Sequence, residues 1–179
     1  MHGLIFSSLR DYVTERYGED AAGTLFAGEP LYLLSEAYPD ERLQSLIGRA
    51  AELTGAEPDA IVHDFGVFAA ETTFTRLYPA YFAISGSARE FLLTVETRIH
   101  ELVRATVPNA EPPQLGVTES GADGVEILYA SPRRLCVLLR GLVEGTAAHY
   151  AESATIEETT CMHRGADACR FLVRLTPRD

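Results

Sequence analysis

The chain has 179 residues, 46% of them hydrophobic, and a formal net charge of −11 at neutral pH. That charge excludes nucleic acid and an anionic membrane surface as partners, because both are bound through cationic patches, and it leaves a small molecule or another protein. The length suits one globular domain with room for a pocket, no apolar run reaches a membrane span, and the amino terminus does not read as a cleavable signal, which together point to the cytoplasm.

The opening MHGLIFSSLRDYVTERYGED reads as an amphipathic helix with Leu4, Ile5, Leu9 and Val13 in register and Gly18 ending it. A turn-rich segment around Gly28 and Pro30 follows, then the short apolar residues 31–34. Residues 39–51 read as a helix closed off by Gly55 and Pro58. Ile61, Val62, Phe65 and Phe68 start another helix that runs towards Pro79.

Residues 85–107 read as a helix carrying a single histidine. Phe91, Val95, Ile99, Leu102 and Val103 recur at the spacing of one buried face, and Leu93, His100 and Val107 make a second stripe beside it. A helix between protein core and an apolar ligand would carry this pattern, with the imidazole of His100 offered to a haem iron. On spacing alone, a hydrogen-bonded core histidine is the commoner arrangement. Pro108, Pro112 and Pro113 then stop the helix.

Beyond Pro113 the period changes to two. QLGVTES and GVEILYAS alternate around a turn at residues 121–124, the pattern of a β-hairpin. Residues 132–149 read as an apolar helix capped by Ser131, and CRFLVRLTP returns to strand with a partner near residues 156–160. The expected fold is α+β: a helical N-terminal half, then a small antiparallel sheet with one long helix. Neither repeats nor low-complexity linkers interrupt it, so residues 1–179 are expected to form one domain.

Within Tyr129-Ala130-Ser131-Pro132-Arg133, alternate side chains could present a phenol, a hydroxyl and a guanidinium on one face. Together they would suit an anion such as a haem propionate, since the planar guanidinium matches a carboxylate. A serine helix cap beside a surface arginine and a strand tyrosine is the plainer alternative.

The YxSxR pattern, preceded by a helix with one histidine and a Pro-Pro pair, resembles the haem-nitric-oxide/oxygen-binding (H-NOX) family. The likeness extends through MHGLIF, the FG of VHDFGVF, the YP of RLYPAYF, IHELVRATVPNAEPPQL and LYASPRRLCVLLRGLVEG. It implies a haem b between a helical subdomain, about residues 1–60, and a haem-bearing α/β subdomain, about 61–179. His100 would be the proximal iron ligand and Tyr129, Ser131 and Arg133 would hold the propionates, while Ile5, Pro113 and Leu142 pack on the porphyrin. The distance from Phe91 to His100 is one residue longer than in many relatives, and that from His100 to Pro108 is kept.

Oxygen-binding relatives carry a tyrosine nine residues after the first tyrosine of YxSxR, where this chain has Leu138. Val137, Leu139 and Leu142 around it are also apolar, so the resemblance implies a nitric oxide sensor that excludes oxygen and can admit carbon monoxide. Release of His100 would free its helix as the signal. A separate histidine kinase or diguanylate cyclase is the implied partner. Nucleophile and phosphate-loop patterns are missing, so no enzyme activity is expected.

Three cysteines, an odd number without a secretory signal, argue for thiols or a metal. Cys136, Cys161 and Cys169 with one further ligand would suit a tetrahedral zinc. CMHRGADAC resembles the zinc-bearing segment of some bacterial members, which have a histidine where this chain has Glu158; the fourth ligand is then Glu158 or His163, or the site is weak or empty, and three small, buried, reduced cysteines are the plainer alternative. Two other readings stand beside the sensor: a zinc/thiol redox switch through the same cysteines, and a haem-free small-molecule module related to vinyl reductases, in which His100 is structural. Glu36, Asp40, Glu41, Glu57, Asp59 and Asp64 read as a solvated acidic face, and His63 and His149 as surface or structural.

Overall fold

Helix α1 (Gly3–Tyr17) begins where the Nδ1 of His2 accepts the Leu4 N–H at 2.9 Å, and it ends at Gly18, whose φ of 92° suits a residue without Cβ. The computed structural model describes residues 1–178. After α1 come α2 (Glu19–Leu25), α3 (Asp40–Thr54) and α4 (Pro58–Phe68), which continues through a π turn (Ala69–Phe74) into α5 (Thr75–Leu77). Then follow α6 (Pro79–Ala83), α7 (Ala88–Val95), a second π turn (Glu96–His100) and α8 (Glu101–Thr106). The last third is β1 (Gln114–Glu119), β2 (Gly124–Ala130), α9 (Cys136–His149), β3 (Glu152–Thr160) and β4 (Cys169–Pro177). The strands form one antiparallel sheet in the order β1-β2-β4-β3, so the fold is α+β.

The expected strands are present, with β3 starting at Glu152 ahead of the expected 156–160, and three helices differ: α6, which is additional after Pro79, α2 and α9. Helix α2 is additional: a seven-residue segment is too short for its apolar period to stand out. Helix α9 starts at Cys136 and not at Pro132, and Ser131 is not its cap. Residues 131–134 instead form a tight turn in which the Arg134 N–H donates to the Ser131 carbonyl at 3.1 Å and Arg134 takes a φ of 51°. The Leu135 N–H is taken at 3.0 Å by the Tyr129 hydroxyl, which satisfies a helix-start donor from the neighbouring strand. No helix among the described residues is long and apolar enough to cross a membrane.

Two apolar cores flank α9. One packs α1, α3 and α4 around Phe6, Leu9, Leu46 and Phe65; the other covers the sheet through Ile127, Phe171, Val143 and Ala147. Leu138 belongs to the first and Leu139 to the second, so α9 is a wall common to both.

Helices α4 and α9 cross with their backbones in contact. A Cβ at Gly141 would lie 2.1 Å from the His63 carbonyl oxygen, one at Gly66 would lie 2.6 Å from that of Leu138, and one at Gly145 would lie 2.4 Å from that of Val67. Any side chain there must push the helices apart. Gly141→Ala is expected to destabilise the fold by about 1–3 kcal/mol or more, lowering the melting temperature by roughly 3–10 °C in thermal denaturation.

Candidate functional site

Between the two cores lies a cavity of about 1330 Å³, its mouth included, lined almost wholly by apolar side chains. An apolar lining with a few polar groups at its edge is the character of a small-molecule or cofactor pocket. Ile5 of α1, Leu138 and Leu142 of α9, Phe74 and Tyr78 contribute to its lining, as do Pro112 and Pro113. Every residue that the sequence assigned to a haem contact borders this one space.

From the helix 85–107, Phe91, Val95, Ile99, His100 and Val103 line the cavity. The two stripes read from spacing are therefore rearranged: His100 shares the side of Phe91 and Val95, while Leu93 packs against the sheet core and Leu102 is 39% exposed. The π turn at Glu96–His100 is the cause, because its wider winding shifts the face presented by everything after it.

The Nδ1 of His100 donates to the Glu96 Oε2 at 2.8 Å, and its Nε2 has no hydrogen-bond partner among the described residues. Burial lowers the imidazole's affinity for a second proton, and the neighbouring carboxylate does not offset this. Partial burial pushes the Glu96 carboxyl up, but hydrogen bonds from His100 and Arg104 outweigh it and hold it below the ordinary carboxylate value. The result is a neutral imidazole with its lone pair on Nε2, the form that binds a metal. Glu96 escaped the sequence reading, although its position four residues before His100 places both on one helix face.

At and just beyond the end of β2, Tyr129, Ser131 and Arg133 all line the cavity, brought together by the turn at residues 131–134 rather than by the extended alternation the sequence suggested. The Arg133 guanidinium is held by two partners: Nε donates to Asp40 Oδ1 at 2.8 Å, and Nη1 to the Glu111 carbonyl at 2.5 Å. Its Nη2 has no partner among the described residues. The Tyr129 hydroxyl accepts from Leu135 and keeps its own proton to donate; burial raises its pKa despite bonds from Ser131 and the Leu135 amide. A phenol, an alcohol and a clamped cation thus offer donors to an anion at an otherwise apolar cavity.

Asp40, read as part of a solvated face, is instead the partner of Arg133 and also binds the Met1 ammonium at 2.7 Å. Partial burial raises its carboxyl, and Arg133 and the ammonium more than reverse this. No local pattern could show a contact that spans 93 positions.

The second predicted constellation also assembles. Ligand atoms of Cys136, Glu158, Cys161 and Cys169 lie within 4.8 Å of one another, with the three cysteines buried. A tetrahedron of ~2.3 Å zinc–sulfur bonds has edges of about 3.8 Å, so a small inward shift would close it on an ion. A bulge in β3 between Glu158 and Thr160 breaks the alternation next to Glu158. His163, the other candidate ligand, lies outside the cluster: its Nε2 donates to the Arg134 carbonyl at 2.8 Å. The Cys169 Sγ accepts the Met162 N–H at 3.2 Å. Burial, with the adjacent thiols of Cys169 and Cys161, pushes the Cys136 thiol up to about 12.

The model of the family described as Haem-NO-binding matches residues 2–158. An H-NOX protein from S. oneidensis, in its Fe(II)NO ligation state, has a TM-score of 0.89 to this chain at 25% identity, covering 98% of this chain and 99% of that one. The Fe(II) unliganded H-NOX protein from K. algicida has a TM-score of 0.84 at 22% identity, covering 99% and 98%, a likeness of fold. Soluble guanylate cyclase 89Da of Drosophila melanogaster is 25% identical over 143 residues, 74% of this chain; the chain spans 20% of the length of that curated relative.

Proposed function

Since the chain belongs to the haem-NO-binding family, whose H-NOX domains are haem-based gas sensors rather than enzymes, we propose that it senses nitric oxide and that His100 would hold the iron of a haem b. The observation that carries this reading is the single cavity bordered by a neutral, Nε2-unpaired His100 and by the three donors Tyr129, Ser131 and Arg133. Haem, when bound, supplies an iron that takes up a diatomic gas.

The chain's own residues do the rest. Arg133, oriented by Asp40 and the Glu111 carbonyl, would direct its free Nη2 to a propionate, with Tyr129 and Ser131 adding directed hydrogen bonds. Ile5, Pro113, Leu138 and Leu142 would pack on the porphyrin and exclude water. Leu138, 8% exposed, offers no donor where an oxygen-binding relative has a tyrosine, so nitric oxide and carbon monoxide are favoured over oxygen. If His100 were no longer held by the iron, the run from α7 to α8 would be free to shift as the signal. The reader of that shift, from family resemblance, is a histidine kinase or diguanylate cyclase. Residues 1–179 would act as one sensor, with the helical part at about 1–60 moving against the remainder.

The test is the absorption spectrum of the haem-reconstituted ferrous protein. A haem band that shifts with nitric oxide and carbon monoxide but not with oxygen is the expected result; no band in the reconstituted protein overturns the reading. In Leu138→Tyr the added phenol donor is expected to hold oxygen about 10–100-fold more tightly, the equivalent of a charge-assisted hydrogen bond of ~1.5–3 kcal/mol, as read by oxygen titration.

A second element of the proposal is zinc held by Cys136, Cys161, Cys169 and Glu158, supported by the proximity of their ligand atoms. The ion would tie the start of α9 to the end of β3 and the start of β4. The same grouping supports the redox reading: a peroxide taking two electrons from two of these thiols would join them as a disulfide and release the ion.

A further inference from the structure

Between Phe91 and His100 the helix widens into the π turn, where the Glu101 N–H bonds to the Glu96 carbonyl, five residues back. Glu96 therefore closes this wide turn through its backbone. Its side chain gathers three groups as well. Oε2 accepts from His100 Nδ1 at 2.8 Å and from the Leu115 N–H at 3.3 Å, and Oε1 accepts from Arg104 Nη2 at 2.6 Å. Leu115 is the second residue of β1, immediately after the Pro112-Pro113 pair that borders the cavity.

We propose that Glu96 is the positioning residue of the axial ligand: it holds His100 in the tautomer with Nε2 unprotonated, strengthens that nitrogen as a donor, and links the ring to the first residues of β1. This rests on the reading of His100 as an iron ligand. A carboxylate on the far nitrogen of a metal-bound imidazole makes it more basic and fixes the ring plane, and loss of such a partner typically costs about 10–100-fold in metal affinity. Arg104 anchors the other carboxylate oxygen, so Oε2 stays directed at His100 and does not rotate to solvent. Because one oxygen serves both His100 and Leu115, a displacement of the ring alters the bond that starts the sheet. The displacement then reaches β1 as well as the helix.

Two measurements test this, using wild type, Glu96→Gln and Glu96→Ala. In haem-free protein, nitrogen-15 NMR of the His100 ring is expected to show Nδ1 protonated in wild type. In Glu96→Ala it is expected to show a mixture of tautomers together with a shifted Leu115 amide. In the ferrous haem protein the iron–histidine stretching band is expected to fall in both variants, and nitric oxide is expected to displace His100 about 10-fold faster than in wild type. A wild-type ring protonated on Nε2, which needs no variant to observe, overturns the proposal. So does an iron–histidine band that Glu96→Gln leaves unchanged. Absence of any iron–histidine band in wild type would instead overturn the assignment of His100 to iron, leaving the tautomer measurement to judge the hold of Glu96 on the ring.

Discussion

His100→Ala is expected to remove the proximal bond and with it most of the haem: retention should fall by more than the roughly 10–100-fold that loss of an outer partner costs a metal site. The ferrous spectrum should lose the features of a histidine-bound iron, and added imidazole should restore them by entering the space left behind. The fold itself should survive. His100 makes one side-chain hydrogen bond, to Glu96, and that carboxylate keeps its bonds to Arg104 and Leu115. The expected cost in stability is only about 1 kcal/mol, so a cooperative melt near the wild-type temperature separates loss of the ligand from loss of the structure. A variant that retains haem with an unaltered spectrum would remove His100 from the iron.

Withdrawal of zinc is expected to have the largest effect on stability. Cys136 begins α9, Cys161 follows β3 and Cys169 begins β4, so one ion would tie the start of α9 to the connection between β3 and β4. Structural zinc contributes up to ~10–16 kcal/mol of apparent binding energy in small domains, and even a fraction of that shared with folding amounts to several kcal/mol. Protein as isolated should contain about one zinc per chain by elemental analysis. A strong chelator should then lower its melting temperature by roughly 10 °C or more. Cys169→Ser should lose the metal and the stability together, since a hydroxyl at a fully buried site is a poor substitute for a thiolate. If the chelator changes nothing and Cys169→Ser costs only ~1–3 kcal/mol, the cluster is three packed thiols and the zinc assignment falls.

What could be read from the chain was what local period and spacing encode. Alternation located the hairpin at Gln114–Glu119 and Gly124–Ala130, and the tail strand at Cys169–Pro177, because each strand has a buried and a solvated side. The residues from Tyr129 to Arg133 were legible as a group because they are adjacent in the chain, although the extended geometry assumed for them ends at Ala130 and a turn brings Arg133 to the same cavity. Long-range pairings were not legible. Asp40 looked like one acid among several until the fold brought it against Arg133, and His163 looked as suitable a zinc ligand as Glu158 until its ring was found on the Arg134 carbonyl. The stripe containing Leu102 failed for another reason: a period of 3.6 presumes a uniform helix, and the π turn at Glu96–His100 breaks that uniformity next to His100. Ser131 was misplaced as a helix cap because it caps the preceding turn, its Oγ accepting the Arg133 N–H at 3.3 Å, while Tyr129, in a different element, accepts the Leu135 N–H at the start of α9.

The crossing of α4 and α9 limits how these parts can move. With Gly66, Gly141 and Gly145 seated against the carbonyls of Leu138, His63 and Val67, sliding one helix along the other would drive Cα hydrogens into opposing oxygens. Gly141 and Gly145 lie one helical turn apart, so the two axes touch at more than one level and resist rotation as well as sliding. Helices α4 and α9 are thus held as one stiff wall between the two cores.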